Sequence, residues 1–441
     1  MDEVKESVAS MTSRLPGFYK RPIAERLQLV ADMAGLTTEE SEVFSVSSGL
    51  SSGEADRMVE NAIGIFPLPL GIAANFRLNG QDCLVPMAVE EPSVLAASSN
   101  AANLLRDGEG IRTSSTEPIM IGQIQVLDFP DLDAARAAIE SQAEALVAAS
   151  NRINPRLVER GGGAKRLLVR EFPDTALGPM LVLHLEVDVR DAMGANIINT
   201  MVESLAPEVE RITGGRVRLR ILSNLADKRL ARAEGRVKIA RLARAGWTGE
   251  EVAQGIVEAS VMADVDPYRA ATHNKGAMNG VDAFLVAAGQ DWRAIEAGCH
   301  AYAARDGRYR SLSRWRIDGE DLVGVIELPM QVGVVGGVTK THAVVKVVHK
   351  ILGFPNATRL GEIAAAAGLA QNLAAIMALA TEGIQRGHMS MHCRNVVAES
   401  GAVGDEVELV VAELRRRQTY DHATASVVLA EVRAGCHQKV A

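Results

Sequence analysis

The chain has 441 residues, 47% of them hydrophobic, which is enough apolar material to bury large cores in two or three domains. Its 55 acidic and 47 basic residues give a net charge of −8 and are dispersed, so neither a nucleic acid nor an anionic membrane is an expected partner. The polar start Met1–Glu6 lacks the apolar stretch of a secretory signal, and we expect a cytoplasmic protein.

The cysteines are scattered and include no C-x-x-C pair: Cys83, Cys299, Cys393 and Cys436. We therefore expect reduced thiols and no metal site. Aromatic residues make up 4% of the chain, which is too few for a platform that stacks single-stranded nucleic acid.

Residues 118–223 have the pattern of a self-contained unit. Alternating apolar residues predict strands, helical spacing predicts helices, and Gly- and Pro-rich turns separate them. The predicted elements are the strand Ile119–Phe129, the helix Asp131–Arg152, the strands Lys165–Glu171 and Met180–Val189, the helix Gly194–Thr213 and the strand Arg216–Leu222. This order, βαββαβ, is that of a ferredoxin-like domain.

The remainder is predicted to be mostly helical. The most apolar stretch, Ile363–Ala380, is interrupted by Gly368, Gln371 and Asn372, which indicates a buried core helix rather than a membrane span. The predicted helices are Val94–Arg106, a cationic amphipathic helix at Leu225–Ala245, Glu250–Ala259, the Ala-rich Thr358–Glu382 and a charged helix at Asp405–Arg417.

No G-x-G-x-x-G fingerprint opens a helix after a strand, and there is no Walker A loop. The best substitute for a dinucleotide site is Asp191–Asn196, which lies between a predicted strand and a predicted helix. A helix N-terminus presents free N–H groups and a positive dipole end, which suit a pyrophosphate. The alternative is that Asp191 is only a helix N-cap.

Two adjacent acids, Glu90 and Glu91, interrupt the apolar stretch Pro86–Ser93. A carboxyl group in such surroundings has a raised pKa and can act as a general acid near neutral pH. The alternative is a solvated turn before the next helix.

The segment Asp266–Gly280 concentrates an arginine, a histidine, a lysine and several amides and hydroxyls. Arg269 can fork a carboxylate, so the segment indicates an anion site. Asp291, shortly downstream, is a potential partner of Lys275 or, alternatively, an ordinary helix N-cap.

His388 follows Gly383 and Gly387 and is a candidate proton donor, because imidazole titrates near neutrality. The alternative is a histidine with a structural role. His392 lies four residues on, but no third metal ligand accompanies the two.

Together these stretches resemble class II 3-hydroxy-3-methylglutaryl-CoA (HMG-CoA) reductases in order and in spacing across nearly the whole chain. The matching pieces are Glu60–Gly64, Val89–Ser93, Arg190–Asn196, Asp266–Gly280 and Ala380–Met389. The resemblance implies a catalytic set of Glu91, Lys275, Asp291 and His388.

The resemblance also implies the binding residues. Ser93, Arg269 and Asn279 match residues that hold the hydroxymethylglutaryl portion of the substrate. Asp191–Asn196, including Met193, Gly194 and Asn196 itself, matches the site of the nicotinamide dinucleotide.

The implied architecture is an α+β fold. A large, mainly helical domain (residues 1–117 and 224–382) would carry an inserted non-Rossmann, ferredoxin-like small domain (118–223) that binds NAD(P), and a mobile C-terminal flap (383–441). Glu60–Gly64 matches a dimer-contact motif, so the resemblance implies a homodimer with shared active sites, which can assemble further into a trimer of dimers.

The expected reaction interconverts HMG-CoA and mevalonate plus CoA by two hydride transfers from NAD(P)H, without a metal. Lys275 would stabilise the oxyanion, with Asp291 keeping this lysine charged. His388 would protonate the departing CoA thiolate, and Glu91 would supply the proton of the alcohol. The residue types leave open whether Lys275 or Glu91 delivers each proton, and whether the cell makes or degrades mevalonate.

The sequence departs from the family pattern in two places. Asn154, between Arg152 and Arg156, stands where NADH-preferring relatives have an acidic residue, so we expect NADPH to be accepted at least comparably with NADH. Tyr19–Arg21 replaces a single basic residue near the N-terminus, so a CoA phosphate contact there would be displaced by one or two positions.

Two rival functions keep part of this pattern. An acyl-CoA lyase or transferase would use the CoA site but consume no nicotinamide cofactor. A non-catalytic dimer would leave the four filled catalytic positions without a purpose.

Overall fold

The structure, a computed structural model, describes residues 12–45, 49–244, 246–381, 383 and 393–435. Within these residues the strands form antiparallel sheets of two, four and four strands. The part before residue 118 consists of α1 (Ile23–Ala34), α2 (Thr38–Glu42), α3 (Ser52–Met58), β1 (Leu70–Leu78), β2 (Gln81–Ala88), α4 (Val94–Leu104) and β3 (Arg112–Ser115).

The βαββαβ order predicted for residues 118–223 is confirmed. The elements are β4 (Ile119–Leu127), α5 (Leu132–Ser141), α6 (Ala143–Ile153), α7 (Pro155–Glu159), β5 (Gly163–Phe172), β6 (Met180–Asp188), α8 (Ala195–Thr213) and β7 (Arg216–Leu222). The strands lie in the order β5-β6-β4-β7. Alternate residues of β6, such as Leu183 and Leu185, are fully buried in a core that belongs to this sheet and its helices. The single helix predicted at Asp131–Arg152 is broken at Gln142.

The chain after residue 223 combines helices with a second four-stranded sheet. The elements of this part are β8 (Leu230–Lys238), α9 (Gly249–Val265), α10 (Pro267–Ala287), α11 (Trp292–Ala303), β9 (Ser313–Asp318), β10 (Asp321–Pro329), α12 (Val338–Thr341), α13 (Ala343–Ile351) and α14 (Ala357–Leu379). The strands of the second sheet lie in the order β3-β8-β10-β9. The predicted helix Leu225–Ala245 is wrong, because this segment forms β8 and a 3-10 turn at Ile239–Leu242. Ala231, Ala233 and Val237 are buried on one side of β8, whereas Arg232 and Arg236 are exposed on the other.

Helix α14 is the centre of the large core. It is long and apolar enough to cross a membrane, but 78% of its most apolar window is buried inside the protein. Residues on all its sides, among them Ile363, Ala365 and Leu369, are at most 1% exposed. The predicted core helix is therefore confirmed.

The last described helices are α15 (Asp405–Arg417) and α16 (His422–Arg433), which share a small core of their own built around Val410, Leu414 and Val428. The predicted helix Asp405–Arg417 is confirmed to the residue. The structure as a whole mixes helices and sheets, as the α+β prediction requires.

Candidate active site

Lys275 and Glu91 meet although they lie 184 positions apart in sequence. Glu91 is in the turn between β2 and α4, and Lys275 projects from the middle of α10. The Nζ atom of Lys275 donates a hydrogen bond to Oε2 of Glu91 at 2.9 Å. The sequence left open whether this turn is simply solvated. In the structure, its Glu91 carboxylate binds the candidate catalytic lysine.

Ser93, two residues after Glu91, has an unusual backbone. Its φ of 81° lies in the left-handed region, which a residue with a side chain rarely adopts. Its Oγ atom is buried and has no hydrogen-bond partner among the described residues. Backbone strain and an unsatisfied hydroxyl beside a candidate catalytic acid are typical of a ligand site.

Helix α10 carries the other predicted substrate residues. Asn279 lies one turn after Lys275 and shares its face of the helix. Arg269, in the first turn, is half-buried, and no carboxylate of the described chain lies within ion-pair distance of it. Burial lowers the pKa of its guanidinium. A half-buried cation without a counter-ion is suited to hold an anionic ligand.

A buried polar network anchors α10, and sequence reasoning missed it. Asn372 of α14 accepts a hydrogen bond at Oδ1 from the Trp315 indole at 2.8 Å. Because an indole N–H can only donate, the amide N–H of Asn372 faces Nε2 of His273 at 3.1 Å, and this nitrogen accepts. The Ser313 hydroxyl, 2.7 Å from the same nitrogen, donates to it as well. Burial and the Arg269 charge lower the pKa of His273 to about 4, so the ring is neutral near pH 7.

Asp291 is the N-cap of α11. Its Oδ1 atom accepts the backbone N–H of Ala294 at 3.2 Å and lies 3.3 Å from the guanidinium of Arg293. Within a single chain, Asp291 therefore acts as a helix cap, which was the alternative interpretation. Lys275 pairs with Glu91 and not with Asp291.

The segment Asp191–Asn196 precedes and begins α8, as expected. Its N-cap is Gly194, whose φ of 105° and close approach to Val189 require glycine. The interpretation of Asp191 as the N-cap of this helix is wrong: its Oδ1 atom accepts the N–H of Ala357, at the start of α14, at 2.9 Å. No side chain caps α8 and its first turn has no acidic residue, so its N–H groups are available to an anion.

Asn154 caps the short helix α7, since its Oδ1 atom accepts the N–H of Leu157 at 3.2 Å. Arg152 and Arg156 on either side are exposed, and neither has an ion-pair partner in the described part of the chain. Two arginines without an ion-pair partner among the described residues therefore flank Asn154.

A cleft of about 440 Å³ lies beside the N-terminal segment in which a CoA phosphate contact is expected. Arg14 and Arg21 line it together with apolar side chains, and Lys20 ends the 3-10 turn Phe18–Lys20 next to it. The lining residues are Thr12, Arg14, Leu15, Pro16, Phe18, Arg21, Leu29 and Met33.

His388 lies outside the described residues. Among those that are described, no group of three His, Cys, Asp or Glu side chains is placed to hold a metal ion.

Comparisons with known proteins identify the family. Residues 22–393 match the family model of hydroxymethylglutaryl-coenzyme A reductase. A 3-hydroxy-3-methylglutaryl-coenzyme A reductase of Archaeoglobus fulgidus is 53% identical over 91% of this chain and 91% of its own length. A probable reductase of Borreliella burgdorferi is 32% identical over 87% of this chain and 88% of its own.

Solved structures agree. The reductase of Streptococcus pneumoniae is 40% identical and superposes with a TM-score of 0.81 over 95% of this chain and 99% of its own. A class II reductase structure from the same organism, bound to NADPH in open conformations, is 41% identical with a TM-score of 0.79 over 83% of this chain and 99% of its own. The predicted resemblance is confirmed and the lyase and non-catalytic alternatives fall away: this chain belongs to the hydroxymethylglutaryl-coenzyme A reductase family and is an NAD(P)H-dependent oxidoreductase of class II.

Proposed function

We propose that the Lys275–Glu91 pair is the catalytic centre of this reductase, completed by His388 and Asp291. The observation that carries the proposal is the 2.9 Å hydrogen bond between the two side chains, at a point flanked by the strained Ser93. It joins a cation that stabilises an oxyanion to an acid that donates a proton.

A reduced nicotinamide cofactor bound by this chain would supply one hydride, so the two reductions would consume two cofactor molecules in turn. In the first, the thioester carbonyl oxygen becomes negatively charged, and the Lys275 ammonium stabilises it. Collapse of the hemithioacetal breaks the carbon–sulfur bond and releases CoA thiolate, which takes a proton from His388. In the second, the aldehyde oxygen becomes the alcohol of mevalonate and takes its proton from the Lys275–Glu91 pair.

We assign the hydroxymethylglutaryl portion to Arg269, Ser93 and Asn279. The carboxylate suits the half-buried Arg269 guanidinium, which is without a counter-ion among the described residues. The unpartnered Ser93 hydroxyl and the Asn279 amide are suited to hydrogen bonds with the substrate oxygens.

The segment Asp191–Asn196 is assigned to the cofactor, with Met193, Gly194 and Asn196 at the start of α8. The uncapped first turn, without an acidic residue, fits a pyrophosphate. Asn154 is assigned to the adenosine end. The cationic surroundings of Asn154, and the NADPH held by the relative from Streptococcus pneumoniae, favour acceptance of NADPH at least comparably with NADH.

We propose that residues 118–223 form the cofactor-binding domain, 1–117 with 224–382 the large domain, and 383–441 the flap, in a cytoplasmic homodimer. The separate core of the first region supports this division.

The position of Asp291 supports shared active sites. The eleven residues of α10 from Lys275 to Leu285 span about 15 Å, and the N–H of Gln290 bonds to the Leu285 carbonyl. Asp291 of the same chain is therefore far from Lys275. A site that contains both residues has to draw Asp291 from a second copy.

Exposed apolar side chains support the same assembly. The segment between Met58 and Leu70, which contains the Glu60–Gly64 motif, forms no helix or strand. In it, Ile63 is fully exposed and Phe66 is 89% exposed. Such a patch is costly in water and is typical of a surface covered by another subunit.

Mixing two inactive variants tests the shared site. Lys275→Ala and Asp291→Ala should each be inactive alone. After co-expression, the mixed dimer regains one intact site, and about a quarter of the wild-type activity should return. Absence of recovery from confirmed mixed dimers would place both residues in one chain's site. A spectrophotometric assay with NADH and NADPH in both directions tests the reductase function itself.

A further inference from the structure

Arg229 is a buried cation between β7 and β8, with 5% of its surface exposed. Its guanidinium donates hydrogen bonds to three carbonyl oxygens: Ala192 at 2.9 Å, Met193 at 3.4 Å and Val332 at 2.6 Å. No carboxylate of the described chain lies within ion-pair distance of it. Burial lowers its pKa to about 10, so it remains charged near neutral pH.

The segment that Arg229 binds is held from a second side. The N–H of Val334 donates to the carbonyl of Asp191 at 2.9 Å. Gly333 packs so closely that a Cβ atom there would lie 2.4 Å from the backbone nitrogen of Met193. The candidate cofactor segment Asp191–Gly194 is therefore fastened to the loop Val332–Val334.

The same loop is fastened to the candidate catalytic residue. Gln290, directly before Asp291, accepts the N–H of Gly333 at 2.8 Å and donates to its carbonyl at 3.0 Å. Gln290, which directly precedes Asp291, and the cofactor segment are thus both hydrogen-bonded to one short loop.

A buried charge that bonds only to carbonyl groups costs stability, and an apolar side chain of similar length would avoid that cost. What an apolar side chain cannot provide is a rigid fork of donors that sets the position of three carbonyl groups. The guanidinium also places a positive charge one peptide unit from the N-terminus of α8, where an anion is expected.

We propose that Arg229 is a positioning residue, which holds the Asp191–Gly194 segment in place relative to Asp291 and so sets the affinity for the nicotinamide cofactor. The inference rests on the proposed assignment of Asp191–Asn196 to the cofactor. Arg229 binds carbonyl groups of the segment and is itself assigned no contact with the cofactor.

The test compares Arg229→Met and Arg229→Lys with Arg236→Met, a control on the exposed side of β8. Fluorescence titration gives the Kd of NADPH, and steady-state kinetics give KM for each substrate. Arg229→Met should weaken NADPH about tenfold or more while KM for HMG-CoA changes less than about twofold, and Arg229→Lys should recover part of the loss. The control should match the wild type.

Unchanged NADPH affinity in a folded Arg229→Met variant overturns the proposal. If that variant does not fold, Gly333→Ala provides the second test, because its methyl group displaces Met193 and should give the same split between the two substrates. Unchanged affinity in Gly333→Ala and Arg229→Lys together also overturns the proposal.

Ala195→Asp separates this outcome from failure of the cofactor assignment. It places a carboxylate in the first turn of α8 and should abolish NADPH binding. If NADPH still binds, the assignment of Asp191–Asn196 is wrong. If binding is lost in Ala195→Asp but normal in Arg229→Met, only the role of Arg229 is wrong.

Discussion

The Lys275 ammonium and the Glu91 carboxylate form a hydrogen-bonded pair at 2.9 Å on the surface of the chain, with 61% and 36% of their side chains exposed. An ion pair this accessible contributes at most about 1 kcal/mol to stability. Its residues can therefore be replaced without unfolding the protein, which makes the effects on catalysis interpretable.

Lys275→Ala should lower turnover by about two orders of magnitude or more, because it removes the charge that stabilises the oxyanion. The melting temperature should stay close to that of the wild type. Lys346→Ala, which removes an exposed lysine of α13, is the control for a general loss of charge. Near-normal turnover in Lys275→Ala would remove this residue from the mechanism.

His388→Gln should slow the conversion of the thioester much more than the reduction of free mevaldehyde, because only the first reaction releases a thiolate that needs a proton. Each half-reaction is measured on its own, with HMG-CoA or mevaldehyde as the substrate, by following the oxidation of NADPH. Equal impairment of both would contradict the assignment and would instead indicate that the segment 383–387 closes the site.

The sequence predicted the elements whose own periodicity decides their structure. The four strands and helix α8 of residues 118–223, the core helix α14 and the charged helix α15 are of this kind, whereas the break at Gln142 and the short helix α7 were not predicted. Strand β8 was missed because its alanines, arginines and leucine are good helix formers. Its alternation is nevertheless that of a strand, and small residues face inwards because the core packs tightly there: a Cβ on Gly235 would lie 2.5 Å from Leu105.

The candidate site was predicted only in part, because the sequence cannot show which distant residues meet. Nothing in it indicated that Lys275 pairs with Glu91, and it left open whether Asp291 pairs with Lys275 or caps a helix. The position of Arg229 could not be predicted for a similar reason. It is one of several arginines in a basic stretch, and only the folded structure shows that it is the buried one.

Asp282→Asn should change the pH dependence of stability. Burial, and then the charge of Glu296, raise the pKa of Asp282 to about 7 from its ordinary 3.8, and its Oδ1 atom has no hydrogen-bond partner among the described residues. Between these two values the folded protein binds a proton that the unfolded chain has lost. Stability therefore falls as the pH rises through this window and levels off above it.

The amide of Asp282→Asn cannot ionise, so the variant should melt at a higher temperature than the wild type at about pH 8, with the difference shrinking towards about pH 5. Asp306→Asn, at an exposed position, should show no such trend. A constant difference at all pH values would mean that Asp282 is already ionised in the folded protein.

Asn154→Asp tests cofactor choice without disturbing the fold, because aspartate caps a helix as well as asparagine does and α7 keeps its bond to Leu157. A carboxylate near the adenosine ribose accepts hydrogen bonds from its hydroxyls but repels a 2′-phosphate, which carries roughly −1.5 to −2 charges near pH 7. The ratio of kcat/KM values should shift towards NADH by about tenfold or more, or roughly 1.4 kcal/mol.

Replacing Arg152 or Arg156 by alanine should weaken the binding of NADPH but not of NADH. Arg211→Ala, which breaks an exposed pair with Glu208 in α8, should leave both unchanged. If the wild type strongly prefers NADH and Asn154→Asp leaves the ratio unchanged, Asn154 does not face the ribose, and cofactor choice is determined elsewhere in residues 118–223.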